Sequence, residues 1–216
     1  LIKQGVYNIY DMSNILDYGK FNENNSNHIR VSCAGLASIK IGNKYLLVQN
    51  KNSRENGVLV YGPLGGAIEW LPEAQDYLND FVIKYERKTP DLRFITKEFS
   101  IGKFSKWFYE RKEREISCKR EIVEELVSEE KILKRLNDSN IYEEFRGIER
   151  DRSIKPEMDG EVMTERFFEI FDVSFDEWTT NFLTEWAQRD ETTIGLFTKE
   201  EILNDGMVTN HSKFIL

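Results

Sequence analysis

The chain has 216 residues, 40% of them hydrophobic and 12% aromatic, with a formal net charge of −8. That length suits one decorated domain or two small ones, and the apolar share can bury a core, which excludes a chain disordered by composition. The negative balance argues against non-specific binding to a nucleic-acid backbone but leaves open a small nucleotide held through metal ions.

Read in order, Val6–Tyr10 has the pattern of a short strand, and residues 22–27, rich in Asn, read as a loop. Val31–Lys40 reads as a strand with small residues, Ala34, Gly35 and Ala37, in its middle. A Gly42-Asn43 turn leads to a second strand over Lys44–Gln49, giving a hairpin. Residues 51–57 are charged and read as a flexible connection into the apolar run Val58–Tyr61. Pro72 suits the first turn of a helix, and Tyr77, Leu78, Phe81, Val82 and Tyr85 would give it an apolar face. Thr89-Pro90-Asp91 breaks that helix, and Leu92–Phe99 reads as a strand. Gly102 opens an aromatic-basic segment through Tyr109, near which a long helix begins that runs past Val127.

Tyr142–Ile154 and Glu161–Phe175 read as the two strands of a long hairpin around 156–160. Asp176 is placed to cap a helix carrying Trp178, Phe182, Leu183 and Trp186. Thr192–Phe197 is a last strand, and Thr198 with Glu201 three residues on forms a capping box. Cys33 and Cys118 are too few for a disulfide framework and lack metal-ligand spacing. No apolar run would span a membrane and no secretory pattern is present, so a reducing cytoplasm is the expected setting. A start at Leu1 rather than Met reads as a trimmed or partial chain.

The chemistry concentrates at Arg120-Glu121-Ile122-Val123-Glu124-Glu125-Leu126. On a helix, Glu121, Glu124 and Glu125 share one face, while Ile122, Val123 and Leu126 fall largely on the other. Clustered carboxylates are hard oxygen donors suited to Mg²⁺ or Mn²⁺. The alternative is an ordinary solvated acidic face. Upstream, Gly62-Pro63-Leu64-Gly65-Gly66-Ala67-Ile68-Glu69 follows an apolar strand. Together these pieces resemble the box of the Nudix hydrolases, G-x5-E-x7-R-E-U-x-E-E-x-G-U with U a bulky aliphatic residue, here split by an insertion. The closest likeness is to the SMODS-associated Nudix domains found beside bacterial nucleotide second-messenger systems.

The resemblance implies an α+β fold, an α/β/α sandwich with a mixed sheet. It implies an N-terminal extension over 1–28 and a Nudix-like domain over 29–216 with a structured insertion at about 72–112. It implies metal binding by Glu121, Glu124 and Glu125 with Mg²⁺ or Mn²⁺, catalytic parts for Glu124, Glu125 and Arg120, and a turn built by Gly65 and Gly66. Arg120 would hold loop and helix in register. Glu161 and Glu165 are candidates for a further acid, against the simpler reading of solvated hairpin charge. Trp107 and Phe108 are candidates for base stacking, against a place in the core or at a dimer interface. The implied function is hydrolysis of a nucleoside diphosphate-linked substrate or nucleotide signal, or else sensing of such a nucleotide without cleavage in a bacterial signalling or antiphage defence system. A nucleotide ligand and a homodimer are the partners implied. Two departures bear on activity: Pro72 stands where the family has a glutamate, and Val127 where it has a glycine.

Overall fold

A computed structural model describes residues 28–155 and 162–216. Its elements begin with β1 (His28–Ile41), β2 (Lys44–Gln49), α1 (Lys51–Glu55), β3 (Tyr61–Gly62) and β4 (Gly65–Ala67). Then come α2 (Gln75–Asn79), β5 (Val82–Tyr85), β6 (Arg93–Lys97), α3 (Ile101–Glu110) and α4 (Lys119–Val123). The chain ends with β7 (Ile141–Lys155), β8 (Val162–Phe175), α5 (Glu177–Trp186), β9 (Ile194–Thr198) and α6 (Lys199–Asn204). The chain forms two compact units. One comprises the described residues up to Cys33, with Ile68–Glu115 and Asp151–Arg166. The other comprises Ala34–Ala67, Ile116–Arg150 and Phe167–Leu216.

In the second unit, strand alternation sorts the apolar side chains into two cores. Ala37 and Ile39 of β1, Leu46 and Val48 of β2, and Phe171, Val173 and Phe175 of β8 pack with Ile122 and Leu126 and with Leu183 of α5. The intervening residues Leu36, Leu47, Phe168 and Ile170 pack with Ile202 of α6 and with Ile215 in the C-terminal 3-10 turn. Successive side chains on a strand point to opposite faces, so this partition places helices on both faces of the sheet. Each fully buried Leu, Ile or Phe contributes about 1.5–3 kcal/mol. The registered pairs are antiparallel: β2 pairs with β1, β3 and β9, and β4 pairs with β1. An isolated parallel bridge joins Tyr61 to Val208.

In the first unit, β6 lies between β5 and the start of β1, both antiparallel to it. Phe94 packs edge-on against Phe104, with ring centroids 5.2 Å apart, and Phe81 completes the group 6.0 Å from Phe104. α3 presents Ile101, Phe104, Ser105, Trp107 and Phe108 inward, a 3.6-residue pattern. Arg30 and Glu86 form a buried ion pair. The segment from 72 to 112 leaves and returns through one paired neck. Leu71 N–H donates to Glu113 O at 2.8 Å, Glu115 N–H donates to Glu69 O at 2.8 Å, and Trp70 bridges Arg114.

Several sequence expectations are corrected. The helix foreseen from Pro72 to Tyr85 stops at Asn79, because the β-branched run from Val82 pairs with β6 and Thr96 Oγ1 ties down the Phe81 carbonyl. The long helix foreseen from the aromatic-basic segment through the acidic face is two helices. Arg111 and Glu113 have φ of 54° and 57°, and left-handed residues end a helix. Arg114 secures this break: its guanidinium lies over the Phe108 ring at 3.9 Å and donates to the Phe108 carbonyl at 2.6 Å. Residues 51–55 are a short helix rather than a flexible connection, with Asn50 Oδ1 accepting from Ser53 N–H at 3.1 Å. The run 58–61 is a strand only from Tyr61. The expected strand at Val6–Tyr10, the loop at 22–27 and the hairpin tip at 156–160 lie outside the described residues.

Both expected caps on the later helices are present. Asp176 accepts from Thr179 N–H at 2.7 Å, and Thr198 with Glu201 forms the capping box. The Thr179 backbone N–H, then its hydroxyl, holds Asp176 below the usual carboxylate range. A depressed folded-state value means the cap stabilises above the unfolded pKa of about 3.9 and is lost as pH falls through the folded value. Wild type should therefore have a higher urea midpoint than Asp176→Ala near neutral pH, with the gap closing on acidification; the advantage of Asp176→Asn over Asp176→Ala should not titrate.

Candidate functional site

The acidic helix starts as α4 and continues as a π-helix over Glu124–Glu129. Ile122 and Leu126 are fully buried and fix its orientation. The wide turn is closed by Glu130 N–H donating to Glu125 O at 2.8 Å, a five-residue step. Such insertions into a helix occur often at functional sites. Val127, at the family's glycine position, lies inside this turn, partly buried against the core. The left-handed exit comes later, at Lys131, with φ of 52°. There the Ile132 and Leu133 N–H groups return to the Leu126 carbonyl at 2.9 and 3.0 Å.

The glycine turn lies against the N-terminal half of this helix. β4 pairs with β1 so that Gly66 faces Gly35 and Gly65 faces Leu36. Gly65 has φ of 145°, and a Cβ there would fall on the Gly35 carbonyl oxygen. Its N–H donates to Glu125 Oε2 at 2.9 Å. A Cβ on Gly66 would fall on the Glu121 carboxylate. Arg120 completes the junction. One guanidinium nitrogen lies 2.7 Å from Glu121 and 3.3 Å from Glu124, while the other donates to the Ala67 carbonyl at 2.8 Å.

Charge is unevenly neutralised along the helix. Arg54 of α1 grips Glu130 with two bonds of 2.8 and 3.0 Å. Burial pushes Glu130 up, but the Arg54 and Thr193 hydrogen bonds outweigh it and leave the carboxyl below its ordinary range. Glu125 goes the other way. Burial drives it well above the usual range, Glu121, Glu129 and Glu130 add repulsion, and the Gly65 N–H opposes only in part. A hard divalent cation suits this place. The donors are carboxylate oxygens, the half-buried Glu125 has acidic neighbours, and Gly66 lets the loop backbone approach where any side chain would intrude. In the present rotamers Glu121 and Glu124 turn to Arg120, and no three His, Cys, Asp or Glu side chains among the described residues form a ready metal cluster.

The remaining candidates stand differently. Glu165 is 3% exposed, with an Arg152 nitrogen at 3.8 Å, so it is not solvated hairpin charge. It belongs to the first unit. Glu161 lies outside the described residues. The base-stacking expectation for Trp107 and Phe108 is corrected. Phe108 is fully buried between Phe104 and the Arg114 guanidinium, and Trp107 stacks on Tyr77 with centroids 5.9 Å apart. Sequence reading missed Arg54 and Glu130. Nothing in a charged stretch near position 54 marks which cation will meet the far end of the acidic helix.

The two glycines should respond differently to alanine. Gly65→Ala meets backbone and should cost more than about 2 kcal/mol of folding stability, read by denaturant unfolding. Gly66→Ala meets the movable end of Glu121 and should fold, with Mn²⁺ affinity reduced in calorimetry. Lys131→Gly should raise stability by up to about 1 kcal/mol, since Lys131 is exposed and glycine removes the left-handed strain.

Residues 28–216 match the family model described as the SMODS-associated NUDIX domain. No curated protein and no solved structure matches the chain. Nudix-family domains generally use divalent metals. Among the described residues no helix is long and apolar enough to cross a membrane. With the fold α+β, the glycine turn set on the acidic helix and the match covering nearly all of the sequence, the chain belongs to the SMODS-associated Nudix domain family.

Proposed function

We propose that this domain is a metal-dependent hydrolase of a nucleoside diphosphate-linked substrate or nucleotide signal, using Mg²⁺ or Mn²⁺. The observation that carries the reading is Glu125, a half-buried carboxylate among acidic neighbours, touching the loop through Gly65 N–H. Glu121, Glu124 and Glu125 would hold the cation. When bound, it would neutralise phosphate charge and lower the pKa of a coordinated water. Arg120 keeps helix and loop in register through Ala67 O, and its hold on Glu121 and Glu124 would loosen if those carboxylates held a cation. The Gly65-Gly66 backbone keeps the approach to them open.

A second reading, a nucleotide sensor in a bacterial signalling or defence system, is favoured by one observation. Pro72 and Val127 stand where the family has a glutamate and a glycine, so the frame around the three carboxylates departs from that of the hydrolases.

Incubation with a panel of nucleoside diphosphate-linked compounds separates the two. The hydrolase reading expects turnover that needs Mg²⁺ or Mn²⁺ and stops on chelation. Glu124→Gln with Glu125→Gln should lower kcat at least about a hundredfold. Failure to turn over any compound, or turnover untouched by the double substitution, overturns it. Calorimetric binding of a nucleotide recovered intact would establish the sensor.

A further inference from the structure

α5 carries three stacked rings. Trp178, Phe182 and Trp186 follow each other at i, i+4 spacing. Trp178 and Phe182 are 5.4 Å apart at an interplanar angle of 20°, and Phe182 and Trp186 are 5.5 Å apart at 27°. At the C-terminal end the Arg189 guanidinium lies 3.9 Å from the centroid of Trp186. At the N-terminal end Trp178 is 66% exposed, with most of a large indole in solvent.

The sequence around that indole is acidic. Asp176 and Glu177 precede it, and Glu185 falls on the same helical face, one turn beyond Phe182. Asp190 and Glu191 follow, and Arg189 is the one cation in the sequence from 176 to 191. Asp176 and Glu177 outweigh the partial positive charge of a helix N-terminus, so the field at Trp178 favours a cation. Tryptophan is the best aromatic face for a cation, and a planar guanidinium stacks on it better than an ammonium does. A phosphate backbone would meet like charge here.

We propose that this face docks an arginine-bearing segment of a partner protein, its guanidinium stacking on Trp178 as Arg189 stacks on Trp186. The proposal is independent of the hydrolase reading.

The test titrates the isotope-labelled domain with a short peptide of alternating glycine and arginine, and with its lysine and glutamate counterparts. The arginine peptide should move the Trp178 indole N–H resonance, assigned by its loss in Trp178→Phe. The lysine peptide should bind more weakly and the glutamate peptide not at all. Trp178→Ala should weaken binding at least about tenfold, Trp178→Phe should keep most of it, and Glu177→Gln should lose a few-fold together with part of the salt dependence. Should Trp178→Ala unfold, the wild-type resonance and the Trp178→Phe affinity decide alone. An unmoved Trp178 resonance, equal binding of arginine and glutamate peptides, or displacement of the peptide from Trp178 by a short oligonucleotide overturns the proposal.

Discussion

The site depends on an absence of side chains. Gly65 and Gly66 are squeezed between the β1 backbone on one side and the carboxylates of the acidic helix on the other. Because neither residue has a Cβ, the loop amide reaches Glu125 and the Ala67 carbonyl reaches Arg120. One layer down the demand is weaker: a Cβ on Gly35, opposite Gly66, would stand at ordinary contact distance, 3.5 Å, from Cys118 at the start of the helix.

Apolar burial and charge repulsion pull on the same helix. Ile122 and Leu126 anchor it in the core, and their burial offsets the cost of crowding acids along the other face. Two arginines manage the ends: Arg120 serves Glu121 and Glu124, and Arg54 serves Glu130. Glu125 lies between them and receives a neutral N–H. The helix therefore holds its strongest demand for positive charge at its middle, beside the loop. This is an arrangement that a cation or a cation-bearing ligand would relieve.

Much of the second unit was legible in the sequence because its signals are local. Apolar runs set off by turn residues marked β1, β2 and β8, and the side-chain caps marked the starts of α5 and α6. The acidic face was legible because three glutamates and three aliphatics settle on largely opposite sides of a helix. What failed was non-local. Tyr77 to Tyr85 has a helical pattern, yet pairing with β6 takes its second half into a strand. Arg111 and Glu113 are not residues that announce left-handed geometry, so the break before α4 could not be read. Trp107 and Phe108 look like a stacking platform until Phe104 and Arg114 are seen to cover them. Arg54 finds Glu130 across 76 positions, a distance no pattern spans.

The paired neck at Glu69–Leu71 and Glu113–Glu115 has a consequence for how the two halves of the motif find each other. Arg120 and Ala67 are 53 positions apart, and closing a flexible loop of that length loses considerable chain entropy. Once the neck zips, the tether between them shrinks to a few residues on each side. On the logarithmic dependence of closure entropy on length, that recovers about 2 kcal/mol. A long excursion can thus sit inside a short motif without loosening it, because its length disappears from the entropy of the residues that matter.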